Sequence, residues 1–271
     1  MTNKINTLDD YYKIVSKENN DDWIKSLDAR KQEESRFHDE HREDGDTERS
    51  NKKFYSTVQL ISNYLYSWIK NNSKDLVFLD FACGFGNTTM TAGKNGAKKA
   101  IGIDISPVSI KKATQAAKEK KLENTFFVVD DCEKTKLPDN SVDRILCSGM
   151  LHHLDVSKAF PEMNRILKPG GKILAVEALN YNPVISYYRR RTPELRTEWE
   201  KDHILDLKDV RLAKQYFKLN SIRYWHFLSP LGTYAPALLP LFNFLDMIIT
   251  RLPFIKLWSW QFTFELESNK T

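Results

Sequence analysis

Cysteine is scarce. There are three in 271 residues, Cys83, Cys132 and Cys147, and no two of them form a CxxC pair. An odd, scattered set argues against a disulfide framework or a cysteine-based zinc centre, and it fits a reducing, cytoplasmic compartment. An excess of one charge is also missing. The 41 basic and 36 acidic residues leave +5, and the densest basic cluster, Arg189-Arg190-Arg191, is short. Such a balance does not specify nucleic acid. Long apolar runs are absent too. The most apolar tract, 234–249, is interrupted by Pro236, Pro240, Asn243 and Asp246, and it falls short of the ~20 clean apolar residues a membrane helix needs. No stable membrane insertion is expected. The opening Met-Thr-Asn-Lys-Ile-Asn lacks the apolar core of a secretory signal. With 41% hydrophobic and 28% charged residues, a soluble globular chain is expected, long enough for one α/β domain and an added lobe.

Residues 1–50 are polar, with apolar anchors such as Leu8, Tyr11, Tyr12 and Val15 at helical spacing. One or two helices are expected there, then a solvated link over 36–50. Phe54, Val58, Ile61, Leu65, Trp68 and Ile69 predict an amphipathic helix over 54–69. A regular alternation follows. Strands are expected at 76–80, 100–103, 125–129, 142–147 and 172–177, with helices at 87–95, 106–121 and 157–167 between them. This rhythm predicts a parallel sheet covered on both faces. It breaks over 180–205, where Pro183, Pro193 and the arginine triplet lie. A helix over 207–217, a strand over 221–228, an apolar helix over 234–250 and a last strand over 258–266 complete the reading. Tyr234, Leu238, Leu239, Phe242, Phe244, Leu245, Trp258 and Trp260 are expected to pack as core or lid. An apolar pocket, an oligomer contact (a homodimer included) or a membrane-surface contact are the alternatives.

The stretch that organises the chain is Leu76-Val-Phe-Leu-Asp-Phe-Ala-Cys-Gly-Phe-Gly-Asn-Thr89. An apolar strand, a glycine turn and a helix start, with Asn87 as the expected N-cap, make a nucleotide-binding crevice. The dinucleotide fingerprint GxGxxG does not fit, because its first and third glycines are missing. The pattern acidic-x-Gly-x-Gly-x-Gly fits with one departure: Asp80 leads, Gly84 and Gly86 follow, and Ala82 stands at the first glycine.

At these residues the chain resembles the class I S-adenosylmethionine-dependent methyltransferases of small-molecule, bacterial type. Gly102-Ile-Asp104-Ile105-Ser, Val129-Asp-Asp131-Cys132 and Arg165-Ile-Leu-Lys-Pro-Gly-Gly171 extend the resemblance over about 54–180. It implies a Rossmann-like doubly wound α/β fold of seven strands, mostly parallel with the last antiparallel. A helical cap or lid is expected over 1–53, with the methyltransferase domain over 54–271. The implied cofactor is S-adenosylmethionine, leaving as S-adenosylhomocysteine. The residues implied to hold it are Asp80, Ala82, Cys83, Gly84, Gly86, Asp104, Ile105, Asp131, Cys132 and Ser148. Asp104 would take the ribose hydroxyls and Asp131 the adenine amino group.

The sulfonium is already activated, so the protein's main task is positioning, with a base where the nucleophile carries a proton. Candidates for catalysis are His152, His153, Glu177 and His203. Asn180, Tyr188, Arg189 and Arg196 are candidates for holding the substrate, since arginines among tyrosines suit a carboxylate or phosphate. Cys83 and Cys132 are read as packing residues. The expected activity is methyl transfer to a small or medium organic acceptor, oxygen or nitrogen nucleophile first. The alternative is a catalytically silent S-adenosylmethionine-binding or scaffold protein of the same fold. No metal is expected. Methylation of RNA or protein is disfavoured, as no Asn/Asp-Pro-Pro-Tyr tetrapeptide follows the fourth strand, no RNA module is appended and no basic stripe interleaves with aromatics.

Overall fold

The computed structural model describes residues 5–15, 20–43 and 52–271. Three helices come first: α1 (Leu8–Val15), α2 (Asn20–Lys25) and α3 (Ala29–Glu43). The expected solvated link from 36 is therefore corrected as far as Glu43, and 44–50 lie outside the described residues. In place of one helix over 54–69 there are two, α4 (Lys52–Tyr55) and α5 (Gln59–Ser73). The Thr57 hydroxyl and amide both donate to the Phe54 carbonyl, at 2.7 and 3.0 Å, and this turn separates them.

The alternating part follows as β1 (Val77–Phe81), α6 (Asn87–Lys94), β2 (Lys99–Asp104), α7 (Pro107–Glu119), β3 (Thr125–Val129), β4 (Val142–Ser148), α8 (Val156–Ile166) and β5 (Leu167–Ala178). The start of α7 shows why it begins there: the Ser106 hydroxyl accepts from the Ser109 amide at 3.0 Å, with Pro107 at the first position. β5 begins earlier than expected because Leu167 already pairs with Val142; the register shifts before Arg144 pairs with Lys172.

The stretch 180–205 is not irregular. It forms α9 (Pro183–Arg191) and α10 (Glu198–Asp202), capped by the side chains of Asn182 and Thr197. Then come α11 (Leu207–Ala213), β6 (Phe217–Trp225), α12 (Leu239–Ile249) and β7 (Gln261–Ser268). β6 lies nearer the N-terminus than expected and stops before His226, whose φ of 64° takes it out of the extended region. A 3-10 turn, Pro236–Leu238, occupies what was read as the start of the apolar helix, and another, Ser229–Thr233, precedes it.

The seven strands run in the order β3-β2-β1-β4-β5-β7-β6. β1 to β5 are parallel, and β7 inserts antiparallel to both β5 and β6. Successive β1 side chains serve opposite faces. Val77, Leu79 and Phe81 join Tyr11 of α1 and Phe160 of α8 on one side, while Phe78 meets Trp68 and Ile69 of α5 on the other. Burial on both faces explains the unbroken apolar character of this strand. The reversal of strand order between β1 and β4 opens a crevice at their carboxyl ends.

Candidate active site

After Phe81 the chain turns through Ala82, Gly84 and Gly86, with φ of 57°, 54° and 71°. Alternate residues thus sit in the left-handed region, which glycine enters freely and alanine only at a cost of about 1–2 kcal/mol. Gly86, rather than the expected Asn87, is the cap of α6. A Cβ on Gly86 would meet the Phe127 ring at 2.3 Å, so this glycine sets the loop's shape by packing. Asp80 is buried and accepts from the Thr88 and Thr89 hydroxyls at 2.5 and 2.7 Å. Burial pushes its carboxyl up to about 6 against the pull of those hydroxyls. It ties β1 to the first turn of α6; neither it nor Gly86 is among the residues lining the cavity beside the loop.

That cavity, about 230 Å³, is lined by Ala82, Cys83 and Gly84 after β1, Asp104 and Ile105 after β2, Asp131 and Cys132 after β3, and Ser148 at the end of β4. Asp104 accepts from the Gly84 amide at 2.8 Å on one oxygen and from the Ser106 amide at 2.9 Å on the other. Asp131 faces the cavity, while its neighbour Asp130 is fully buried and accepts from the Tyr11 hydroxyl at 2.8 Å. Burial pushes Asp130 up to about 6. The same effect pushes the Cys132 and Cys147 thiols well up, which makes them poor nucleophiles.

The opposite wall is α3. Its Arg30, Lys31, Glu34 and His38 line the cavity, and none of them is conspicuous in the sequence. Lys31 Nζ stands 2.7 Å from Asp131 and 3.0 Å from Glu133, and Arg30 pairs with Glu133 and donates to the His153 carbonyl at 3.0 Å. Further along, the Ser35 hydroxyl donates to the Ile105 carbonyl at 3.1 Å, and Asp39 accepts from the Val108 amide at 3.3 Å at the start of α7. The available signal was a polar stripe, Lys31, Glu34, Ser35 and His38, at helical spacing. Hydropathy cannot detect a buried face that is polar.

A second cavity, about 320 Å³, shares His38, Ser148, Gly149 and His153 with the first and adds Tyr55, His152, Arg196, Glu200 and Trp260. The His152 and His153 rings lie 4.3 Å apart. His153 Nδ1 is 3.1 Å from Glu34, and His152 Nδ1 is 2.7 Å from Glu177. Burial works against the charged form of His152, but the Glu177 carboxylate overcomes this and holds its pKa above the usual value. Glu177 is fully buried and also accepts from the Met150 and Leu151 amides at 2.9 and 2.8 Å, so it anchors the turn after β4. Glu34, His38 and His153 bring one ligand atom each within 4.8 Å of one another. Glu34 also accepts from the Thr197 hydroxyl at 2.5 Å.

The remaining candidates are dispersed. Arg196 reaches the second cavity and pairs with Glu200 at 3.3 Å. Arg189 donates to the Leu179 carbonyl at 3.4 Å, and burial beside Arg196 lowers its pKa to about 10. His203 is exposed and stacked on Trp199 at 3.5 Å. Asn180 is exposed, and Tyr188 packs edge-on against Phe54 at 5.9 Å. Neither cavity is lined by Arg189, His203, Asn180 or Tyr188.

Residues 79–175 match the family model described as a methyltransferase domain. They are the segment that carries the glycine loop, Asp104, Asp131 and the histidine pair. This segment is a methyltransferase domain. The chain is similar to the uncharacterized methyltransferase YcgJ of Bacillus subtilis, at 36% identity over 100 residues, which are 36% of this chain and 39% of that one. The match thus spans well under half the length of this relative. Among solved structures, geranyl diphosphate C-methyltransferase from Streptomyces coelicolor superposes with a TM-score of 0.65 at 14% identity, covering 90% of this chain and 99% of that one. The YcgJ structure gives 0.54 at 19% identity, over 78% and 100%. At these identities the likeness is one of fold.

The methyltransferase domain's crevice can be tested for fit to the cofactor. A carboxylate offers about four acceptor positions, so the backbone amides on Asp104 and a pair of ribose hydroxyls are compatible on one group. The same holds for Asp131 with Lys31 and an adenine amino group. Gly149, which lines both cavities, has a φ of 66°, and a Cβ there would meet nothing within 4 Å. The residues fit the group.

Proposed function

We propose that this chain transfers the methyl group of S-adenosylmethionine to a small or medium organic acceptor with an oxygen or nitrogen nucleophile. One observation carries the reading: two cavities meet at a shared wall of His38, Ser148, Gly149 and His153, the first with the acidic and glycine-loop groups a nucleoside needs, the second with aromatic and ionic groups suited to an acceptor. The bound cofactor supplies an activated sulfonium methyl, and in-line displacement then needs chiefly alignment.

Each residue has a part in this reading. Asp104 orients the ribose and Asp131 the adenine. Lys31 balances the charge of Asp131, and α3 serves as a lid that excludes water over the crevice. His153 takes the acceptor's proton: it lines both cavities, and Glu34 at its Nδ1 fixes the ring and favours Nε2 as the base. His152 and Glu177 hold the turn in place. Arg196 and Glu200 contact the acceptor's polar part.

The test is transfer of labelled methyl from S-adenosylmethionine to fractions of a bacterial small-molecule extract, with release of S-adenosylhomocysteine in equal amount. Label appearing in one acceptor, and absent with His153→Asn, supports the proposal. Tight cofactor binding with no transfer to any fraction would leave a silent binding protein.

A further inference from the structure

Of the eight residues expected to pack as core or lid, four, Tyr234, Leu238, Phe244 and Trp258, are exposed, while Leu239, Phe242, Leu245 and Trp260 are half-buried. Tyr234 is 71% exposed, Phe244 59%, Phe254 83% and Trp258 53%, with Leu241, Met247 and Ile248 each at half or more. These residues are ordered by the helix. Leu241, Phe244, Met247, Ile248 and Arg251 recur at three- and four-residue spacing along α12 and its end, so they share one face. The other side of α12 is accounted for: Asp246, 1% exposed, accepts from the Leu228 and Ser229 amides at 2.7 and 2.9 Å and fixes the helix to the turn after β6. The continuation, Leu252, Phe254, Ile255 and Trp258, is exposed as well. Nearby, Asn182 donates to the Trp258 carbonyl, and Val184, two residues on, is 74% exposed. Contiguous apolar surface on this scale marks an interaction site.

Charge decides among the occupants. From Trp225 to Trp260 the only acidic residue is Asp246, and it is buried; the exposed Arg251 and the half-buried Lys256 are the cations. A face of aromatic and aliphatic side chains with cations and no solvent-facing carboxylate is complementary to anionic headgroups over an acyl boundary. A second copy meeting the same face through a two-fold axis would place like charges together. No helix among the described residues is long and apolar enough to cross a membrane, so contact would be with the interface alone.

We propose that the face formed by α12 and residues 251–258 docks on an anionic lipid bilayer. This does not depend on the methyl-transfer reading. It also gives that reading a direction. Phe54 touches the rings of Tyr234 and Trp260, at 6.2 and 6.4 Å, and Trp260 lines the second cavity. An aromatic path therefore links the exposed Tyr234, which precedes α12, to the acceptor cavity, and an amphiphilic acceptor held in the bilayer could follow it.

The test is flotation of the full chain with phosphatidylcholine vesicles, with and without a quarter phosphatidylglycerol, at low and high salt. Binding is expected to the anionic vesicles, at least tenfold weaker to the neutral ones, and reduced by salt. Phe254→Ser with Trp258→Ser should weaken it roughly tenfold or more, since each removes a large buried side chain from the lipid, and Arg251→Glu with Lys256→Glu should abolish the preference for anionic lipid. Both pairs change exposed or half-buried side chains, and unchanged circular dichroism verifies the fold. Failure to float with any vesicle would overturn the proposal. So would a stable dimer, seen by light scattering, that the Phe254→Ser, Trp258→Ser pair converts to monomer. Flotation requires no cofactor, so loss of methyl transfer and loss of docking are read separately.

Discussion

Lys31 Nζ lies 2.7 Å from Asp131 Oδ2, joining a helix from the first part of the chain to the end of β3 across the crevice. Both side chains are nearly buried, and Glu133 shares the lysine at 3.0 Å. Burial opposes the ammonium charge, but the two carboxylates outweigh it and raise the lysine's pKa above its ordinary value. Lys31→Met would leave those carboxylates with Arg30 as their nearby cation. Stability should fall by about 1–3 kcal/mol, read from the denaturant midpoint. α3 should also lose protection in hydrogen exchange before the sheet does.

The glycine loop offers paired predictions. Ala82 holds a φ of 57°, so Ala82→Gly should relieve about 1–2 kcal/mol of left-handed strain and return part of it as unfolded-chain entropy. A net gain of up to about 1 kcal/mol is expected in urea unfolding. Gly86→Ala should cost more than about 2 kcal/mol, because strain and overlap with Phe127 add. Gly170→Ala is the control. Its φ of 68° is similar, but a Cβ there meets nothing within 4 Å, so only the strain remains.

His226 gives a signed pH dependence. It is fully buried, accepts from the Ile61 amide at 3.4 Å, and burial lowers its pKa to about 4. Its folded-state pKa lies below its unfolded value of 6.5, so the unfolded chain binds the extra proton between these values. Stability from this group is therefore intact above about pH 6.5 and declines as pH falls to about 4. The loss is at most about 3 kcal/mol. His226→Asn tolerates the left-handed backbone and cannot titrate. The stability difference between wild type and variant should shift toward the variant across that window, and a constant difference would mean that His226 ionises normally.

Removal of the proposed base should separate chemistry from binding. His153→Asn is expected to lower kcat by about a hundredfold or more while cofactor affinity changes little. Glu34→Gln should act through the ring's orientation, giving a smaller loss and a displaced pH profile for kcat. Equal loss of affinity in both variants would assign these residues to cofactor binding.

The alternating strands were legible because parallel strands buried on both faces leave unbroken apolar runs, as in 76–80 and 125–129. Asp104 and Asp131 were legible because each ends such a run at the sheet's carboxyl edge. α3 was not. Its buried side carries Lys31, Glu34 and His38, so the pattern that betrays an apolar face is missing. The exposed face of α12 misled for the opposite reason. Hydropathy reports that a side chain avoids water, not whether protein or another phase covers it. His203 and Tyr188 were plausible by composition, but they were placed by a stretch whose two short helices turn them toward Trp199 and Phe54 instead.

The central claim is that the crevice between the glycine loop, Asp104 and Asp131 holds the methyl donor. Calorimetric titration of the full chain with S-adenosylhomocysteine tests it most directly. One site per chain is expected, weakened about tenfold or more by Asp104→Asn, which keeps the side chain's shape and removes its charge. A folded wild-type protein that releases no binding heat and gains no thermal stability with saturating S-adenosylhomocysteine would contradict the claim.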